Sequence, residues 1–212
     1  MRILFCASHT KAGPWLDALR TALPAADVQE WQPGAPAADY AVVWSPPQAF
    51  FDEQPGLRVI FNMGAGVDAL LSLELPPDAL VVRLPGLVGP GLRKNAIFDL
   101  HHGNALDAVD SRGRFQFYPM VNLWDDLQVA LGAGLRTLHL TAAPLSIGEV
   151  AREAFHRPFD NVRPGEPAVY DFRSKHDRLF GGDGGYQYSR RESMLAIRAY
   201  AQSEPRAAGA GA

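Results

Sequence analysis

Gly64, Gly66 and Ala69 carry the spacing G-x-G-x-x-A between the apolar run Val59-Ile60-Phe61-Asn62 and a leucine-rich stretch that reaches Leu73. A strand that turns on glycines into a helix presents backbone N–H groups at the helix start, and those groups attract anions. Glycine lets a ligand approach the backbone closely. Such a turn can hold a cofactor pyrophosphate, hold a substrate carboxylate, or serve only as a tight turn. Two details weigh against the dinucleotide. The turn follows the fourth apparent strand rather than the first, and Pro76-Pro77 must end its helix after barely two turns. One detail supports it: Arg83 closes the next apolar run, where a residue selecting a cofactor phosphate would lie.

Other residues invite chemistry less strongly. Gly181-Gly182-Asp183-Gly184-Gly185 has the glycine content of a phosphate cradle, but it follows no strand and lacks the Lys-Ser/Thr of a P-loop. It reads as a flexible connection. Arg93-Lys94, after Gly89-Pro90-Gly91, would suit an anionic substrate or simply an exposed helix start. His101 and His102 are adjacent, so a helix points them in different directions, and a solvated helix end is expected rather than a metal site. His139 sits in an apolar strand and reads as a core or interface residue. Phe115, Phe117, Tyr118 and Trp124 read as core, because no basic stripe accompanies them. Cys6, the sole cysteine, reads as an inert core residue and excludes an internal disulfide.

The bulk numbers fit a soluble globular chain: 212 residues, 47% hydrophobic, 20% charged. A net charge of −3 argues against a general nucleic-acid binder. No apolar run approaches the ~20 residues that span a bilayer, and Met1 to Ala7 reads as a first strand rather than a signal segment. The expected compartment is the cytoplasm.

The elements that must position these residues alternate. Strands are expected at Arg2–Cys6, Val28–Trp31, Tyr40–Trp44, Val59–Asn62 and Ala79–Arg83, with helices at Pro14–Leu23 and from Ala69 to Leu73. That rhythm predicts an α/β fold, a flavodoxin- or Rossmann-like parallel sheet with helices on both sides. After Arg83 the texture changes to a proline-glycine loop, Leu84 to Gly91, then a smaller α/β or mixed region. There, a helix is expected over Leu92–Leu100, a strand over Arg114–Tyr118 and a helix over Leu123–Ala133. Ser146 with Glu149, and Ser189 with Glu192, make capping boxes for two more helices. Residues 1–83 carry 5 basic and 9 acidic side chains, and residues 84–212 carry 15 and 14, so the charge shifts where the texture does. The organisation expected is a domain over 1–83, a second region over 84–204, and a disordered tail over 205–212.

Two resemblances meet at that boundary. Ile3-Leu4-Phe5-Cys6, Pro14-Trp15-Leu16, Ala38 to Pro47 and Phe61 to Asp68 resemble the N-terminal part of the D-2-hydroxyacid dehydrogenase family, in its glyoxylate/hydroxypyruvate reductase branch. The resemblance implies a flavodoxin-like substrate domain. It implies that Met63, Gly64, Ala65, Gly66 and Val67 hold a substrate carboxylate through backbone N–H groups, with Trp44 bordering the site. Val81 to Leu92, Phe115-Gln116-Phe117-Tyr118, Leu123-Trp124-Asp125-Asp126, Leu138-His139-Leu140 and Ser146 to Ala151 resemble, in order, the C-terminal half of an NAD-dependent epimerase/dehydratase, an extended short-chain dehydrogenase. There the resemblance implies a sugar or nucleotide-sugar pocket that Arg83, Pro85, Gly86, Arg93, Lys94 and Asn95 line or approach.

Both families imply NAD(P) as cofactor, yet neither family's catalytic set is present. No second domain with the Arg, Glu and His of the hydroxyacid enzymes follows residue 83. The first strand leads into Ala7-Ser8-His9-Thr10 rather than glycines, and no tyrosine has a lysine four positions on. The chain therefore resembles a splice joined within Ala79–Leu84. No metal site is expected. The expected partner is a small 2-oxoacid or sugar-type substrate, with no nucleic acid and no membrane; self-association stays open.

Overall fold

A computed structural model describes residues 1–8, 10–63 and 68–206. Gly64, Ala65, Gly66 and Val67, and the tail from residue 207, lie outside the described residues. The chain forms two compact units. One comprises Met1–Leu84 with Leu131–Leu138, and the other Pro85–Ala130 with His139 onward.

The first unit is built on a six-stranded sheet. Its strands are β1 (Arg2–Ala7), β2 (Asp27–Glu30), β3 (Tyr40–Trp44), β4 (Val59–Asn62), β5 (Leu80–Arg83) and β9 (Thr137–His139), in the order β2-β1-β3-β4-β5-β9. β1, β2, β3, β4 and β5 pair in parallel. Alternation along β1 explains the layers. Ile3 and Phe5 pack toward Leu16 of α1 (Ala12–Ala22), while Leu4 and Cys6 pack with Phe50 and Phe51 of α2 (Gln48–Glu53) and Leu70 of α3 (Asp68–Leu71). Helices thus cover both faces, as a parallel sheet requires.

The expected strands appear within a residue or two of their predicted bounds. One element was not expected, and one expected strand, at His139, takes an unexpected partner. Helix α2 is only six residues long and starts after Pro47, with no side-chain cap. β9 comes from beyond residue 130, and its entry is tied to β5 by the Val81 N–H donating to the Arg136 carbonyl at 2.9 Å.

In the second unit, β6 (Gly86–Val88) pairs in parallel with β8 (Phe117–Pro119), and β7 (Arg114–Phe115) pairs antiparallel with β10 (Leu145–Ser146). The single strand expected over Arg114–Tyr118 is therefore two. They part at Gln116, because its two flanks serve different partners. Val88, Ile97 and Leu100 of the region around α4 (Ala96–His102) pack with Val150 of α6 (Ile147–Ala154) and Ile197 of α7 (Arg190–Ser203). Both predicted capping boxes form, at Ser146–Glu149 and Ser189–Glu192. Arg190 pairs with Glu149, and Arg198 with Glu153 at 3.6 Å, lacing α6 to α7.

Three expectations change here. The 181–185 segment is a built turn, not a flexible connection. Gly182 N–H donates to the Asp177 carbonyl at 2.9 Å and Gly185 N–H to the Asp177 carboxylate at 2.8 Å. The N–H groups of Gly181, Gly182, Asp183 and Gly185 are spent on the chain itself. His101 is not at a solvated helix end: it is buried, and its Nε2 lies 2.9 Å from the Glu204 carbonyl. Phe117 and Tyr118 are core as expected, but Trp124 is 60% exposed. Among the described residues no cluster of metal-ligating side chains occurs, and no helix is long and apolar enough to cross a membrane.

Candidate functional site

In a parallel sheet the carboxyl ends of the strands collect ligands, above all where the strand order reverses. Here the order reverses at β1, between β1 and β3. The strand ends there are in register: Ala7 lies opposite Trp44, Val43 opposite Asn62, and Asn62 opposite Arg83. Met63 follows directly, its N–H donating to the Val43 carbonyl at 2.9 Å. Trp44, Met63 and Arg83 therefore line one edge of one sheet, on three consecutive strand ends. Trp44 is 40% exposed, so its indole is available to a ligand. The turn that would supply the N–H groups, Gly64 to Val67, starts from this edge and lies outside the described residues.

The reversal crevice itself is bridged by protein. The Ser8 hydroxyl donates to the Ser45 carbonyl at 2.7 Å, and Ser8 N–H donates to the Trp44 carbonyl at 3.1 Å. Ser45 holds a left-handed backbone, φ 49°, before Pro46. That conformation is costly for a residue with a Cβ, and the two bonds from Ser8 help to maintain it. A pyrophosphate on the β1–α1 turn needs free N–H groups and a glycine at close approach. This turn offers neither at Ala7 or Ser8, and Lys11 caps α1 with no side-chain bond. The described residues of the turn do not fit a dinucleotide.

Arg93, Lys94 and Asn95 belong to the second unit. Arg93 and Lys94 are exposed and make no ion pair among the described residues. Asn95 caps α4: its Oδ1 accepts from Ile97 N–H at 2.9 Å and Phe98 N–H at 3.4 Å, and its Nδ2 donates to the Leu87 carbonyl at 2.8 Å. The side chain is occupied by this capping work, at a backbone φ of 118°.

A buried acid cluster escaped the sequence reading. Asp126, on α5 (Leu123–Gly132), accepts hydrogen bonds from the Tyr118 and Tyr188 hydroxyls, the latter at 3.0 Å. The Tyr118 and Tyr188 rings meet edge to face at 5.2 Å. Burial raises the Asp126 carboxyl above its ordinary value, against the two phenol bonds, and burial also pushes Tyr188 up to about 12. No periodicity marks such a cluster, because Tyr188 arrives from 62 residues away. A folded-state pKa raised above the unfolded value means that the folded chain holds the proton more tightly. The stabilisation is therefore complete below the unfolded value and is lost as pH rises through the folded one. Asp126→Asn keeps an oxygen for the phenols and removes that loss. Urea unfolding should show its stability relative to the parent chain increasing from acid to neutral pH; a constant difference across that window contradicts the assignment. Cys6 behaves as expected: buried, with its thiol pushed up to about 11 by burial first and Glu30 second.

The fold is an α/β one shared with several solved structures. WbmG of Bordetella bronchiseptica, solved with NAD, superimposes with a TM-score of 0.57 at 15% identity, over 95% of this chain and 94% of that one. The dTDP-glucose 4,6-dehydratase of Bacillus anthracis, also solved with NAD, gives 0.54 at 10% identity, over 95% and 96%. At these identities the likeness is one of fold. No family model matches the chain. Part of the chain is closer to particular proteins. Glyoxylate/hydroxypyruvate reductase A of Yersinia enterocolitica is 40% identical over 91 residues, 40% of this chain and 29% of that one. The same-named protein of Serratia proteamaculans is 44% identical over the same shares. The chain thus spans less than a third of the length of these curated relatives.

Proposed function

We propose that the first unit holds the carboxylate of a small 2-oxoacid, glyoxylate or hydroxypyruvate, at the carboxyl edge of its sheet. Backbone N–H groups of Gly64 to Val67 bind the carboxylate, the Met63 N–H being taken by the Val43 carbonyl; Trp44 walls the site, and Arg83 adds positive charge. The observation that carries this reading is the register, which sets Trp44, Met63 and Arg83 on consecutive strand ends. The similarity to the two reductases supports it. Hydride transfer needs a nicotinamide fixed against the substrate carbon and a proton donor beside it. We infer that this chain binds but does not reduce: it is a splice or fusion that keeps one parent's substrate side. Purified chain is expected to gain melting temperature with glyoxylate, since ligands of the native state stabilise it, and to show no NADPH-dependent loss of glyoxylate. Steady NADPH oxidation overturns the second half of the claim, and a flat melting curve the first.

A second reading rests on Arg93 and Lys94, exposed and without ion pairs among the described residues just before α4, which suit the diphosphate of a nucleotide sugar. Saturable UDP-sugar binding lost in Arg93→Ala would favour it.

A further inference from the structure

Among the described residues of the first unit, Ser45 is the one non-glycine with a positive φ, 49°. Strained residues of this kind persist only where their surroundings hold them, and they gather at working sites. The cause here is local. β3 is fixed by its parallel neighbours as far as Trp44, opposite Ala7. α2 is fixed by Phe50 and Phe51, both buried. Only Ser45, Pro46 and Pro47 join the two. Proline holds φ at about −65°, so Ser45 is the residue left to absorb the bend. A following proline makes a helical backbone there costlier still.

What holds Ser45 comes from the end of β1. Ser8 bonds to two successive peptide groups: its N–H donates to the Trp44 carbonyl at 3.1 Å, and its hydroxyl donates to the Ser45 carbonyl at 2.7 Å. Any residue but proline could make the first bond. The second needs a hydroxyl. Trp44 is the side chain whose exit from the sheet these bonds govern. Alternation along β3 sets it on the side of Tyr40 and Val42, where Met63 also packs. The indole is exposed, so its direction follows from the backbone that carries it more than from packing around it.

We propose that Ser8 is a positioning residue: its hydroxyl holds Ser45 left-handed, and that conformation aims Trp44 across the carboxyl ends of β3 and β4, where the 2-oxoacid carboxylate binds. This role rests on the carboxylate site proposed above, and Ser8 acts through Trp44 rather than on the ligand.

The test follows the Trp44 indole N–H by NMR in the whole chain, its resonance assigned with Trp44→Phe, first without ligand and then in a glyoxylate titration. Ser8→Ala should move the indole resonance and weaken glyoxylate binding about threefold or more, the worth of one hydrogen bond. Ser8→Thr, which keeps the hydroxyl, should restore both. Glycine adopts a positive φ at little steric cost, so Ser45→Gly needs no help from Ser8, and in that background Ser8→Ala should alter neither readout. A bond that served stability alone would lower the melting temperature of Ser8→Ala and leave the indole where it is. An unmoved indole resonance in Ser8→Ala, or the same loss in the Ser45→Gly background, overturns the proposal. The indole readout needs no ligand. A parent chain that does not bind glyoxylate therefore refutes the carboxylate site, and that outcome is distinct from a failure of Ser8 to position Trp44.

Discussion

A chain ending at Leu84 should not fold cooperatively. The sequence texture and the likeness to the reductases both suggest a domain that stops there, but the sheet does not. β9 lies beside β5, and Leu138 within it is fully buried. Removing it leaves β5, with the core residues Leu80, Val81 and Val82, as an open edge. Exposed apolar edges pair with other chains, so the fragment is expected to give a broad, low-amplitude melt and to aggregate. In the whole chain, Leu138→Ala should cost about 2–5 kcal/mol, read by urea unfolding. A sharp two-state transition in the 1–84 fragment would show that β9 is dispensable.

The second large effect is expected at Gln116. Its Nε2 donates to the carbonyls of Ala142 and Phe172, both at 2.7 Å, and its Oε1 accepts from Phe172 N–H at 2.7 Å. One buried amide thus satisfies backbone groups of two segments where β7 and β8 part. Gln116→Leu fills similar volume but strands all three. Each stranded group costs about 1–3 kcal/mol, so the variant should lose roughly 3 kcal/mol or more, with no change in glyoxylate response. Gln116→Glu offers the acceptor but not the donors, and should recover only part of the loss. A Gln116→Leu chain as stable as the parent would mean that water replaces the side chain.

These two cases show what could be read in advance. β1, β3 and β4 were legible because their apolar runs are short, dense and bounded by turn residues. Both capping boxes were legible because Ser146 with Glu149, and Ser189 with Glu192, are local patterns with a local cause. The apolar strand at His139 was legible but its place was not: Thr137–His139 is three residues long, and nothing in them says that they complete a sheet begun at Arg2. Gln116, Asp126 and Asp177 act through partners distant in the chain, and no spacing announces such a bond. His101 misled because its neighbour His102 and the nearby aspartates look like a polar helix end. The site divides the same way. The edge position of Trp44, Met63 and Arg83 follows from strand ends that the sequence shows. The Ser8–Ser45 bridge depends on a positive φ at Ser45, which an L-residue before proline gives no reason to expect.

The central claim is that a 2-oxoacid carboxylate sits at the carboxyl ends of β3 and β4. Backbone amide NMR of the whole chain, titrated with glyoxylate, tests it most directly. The account predicts saturable shifts confined to Trp44, Met63 to Asp68 and Arg83, weakened about tenfold in Trp44→Ala, equivalent to ~1.4 kcal/mol. Shifts at Arg93 to Asn95 with none at Met63 to Asp68, or no saturable shift at all, would contradict it.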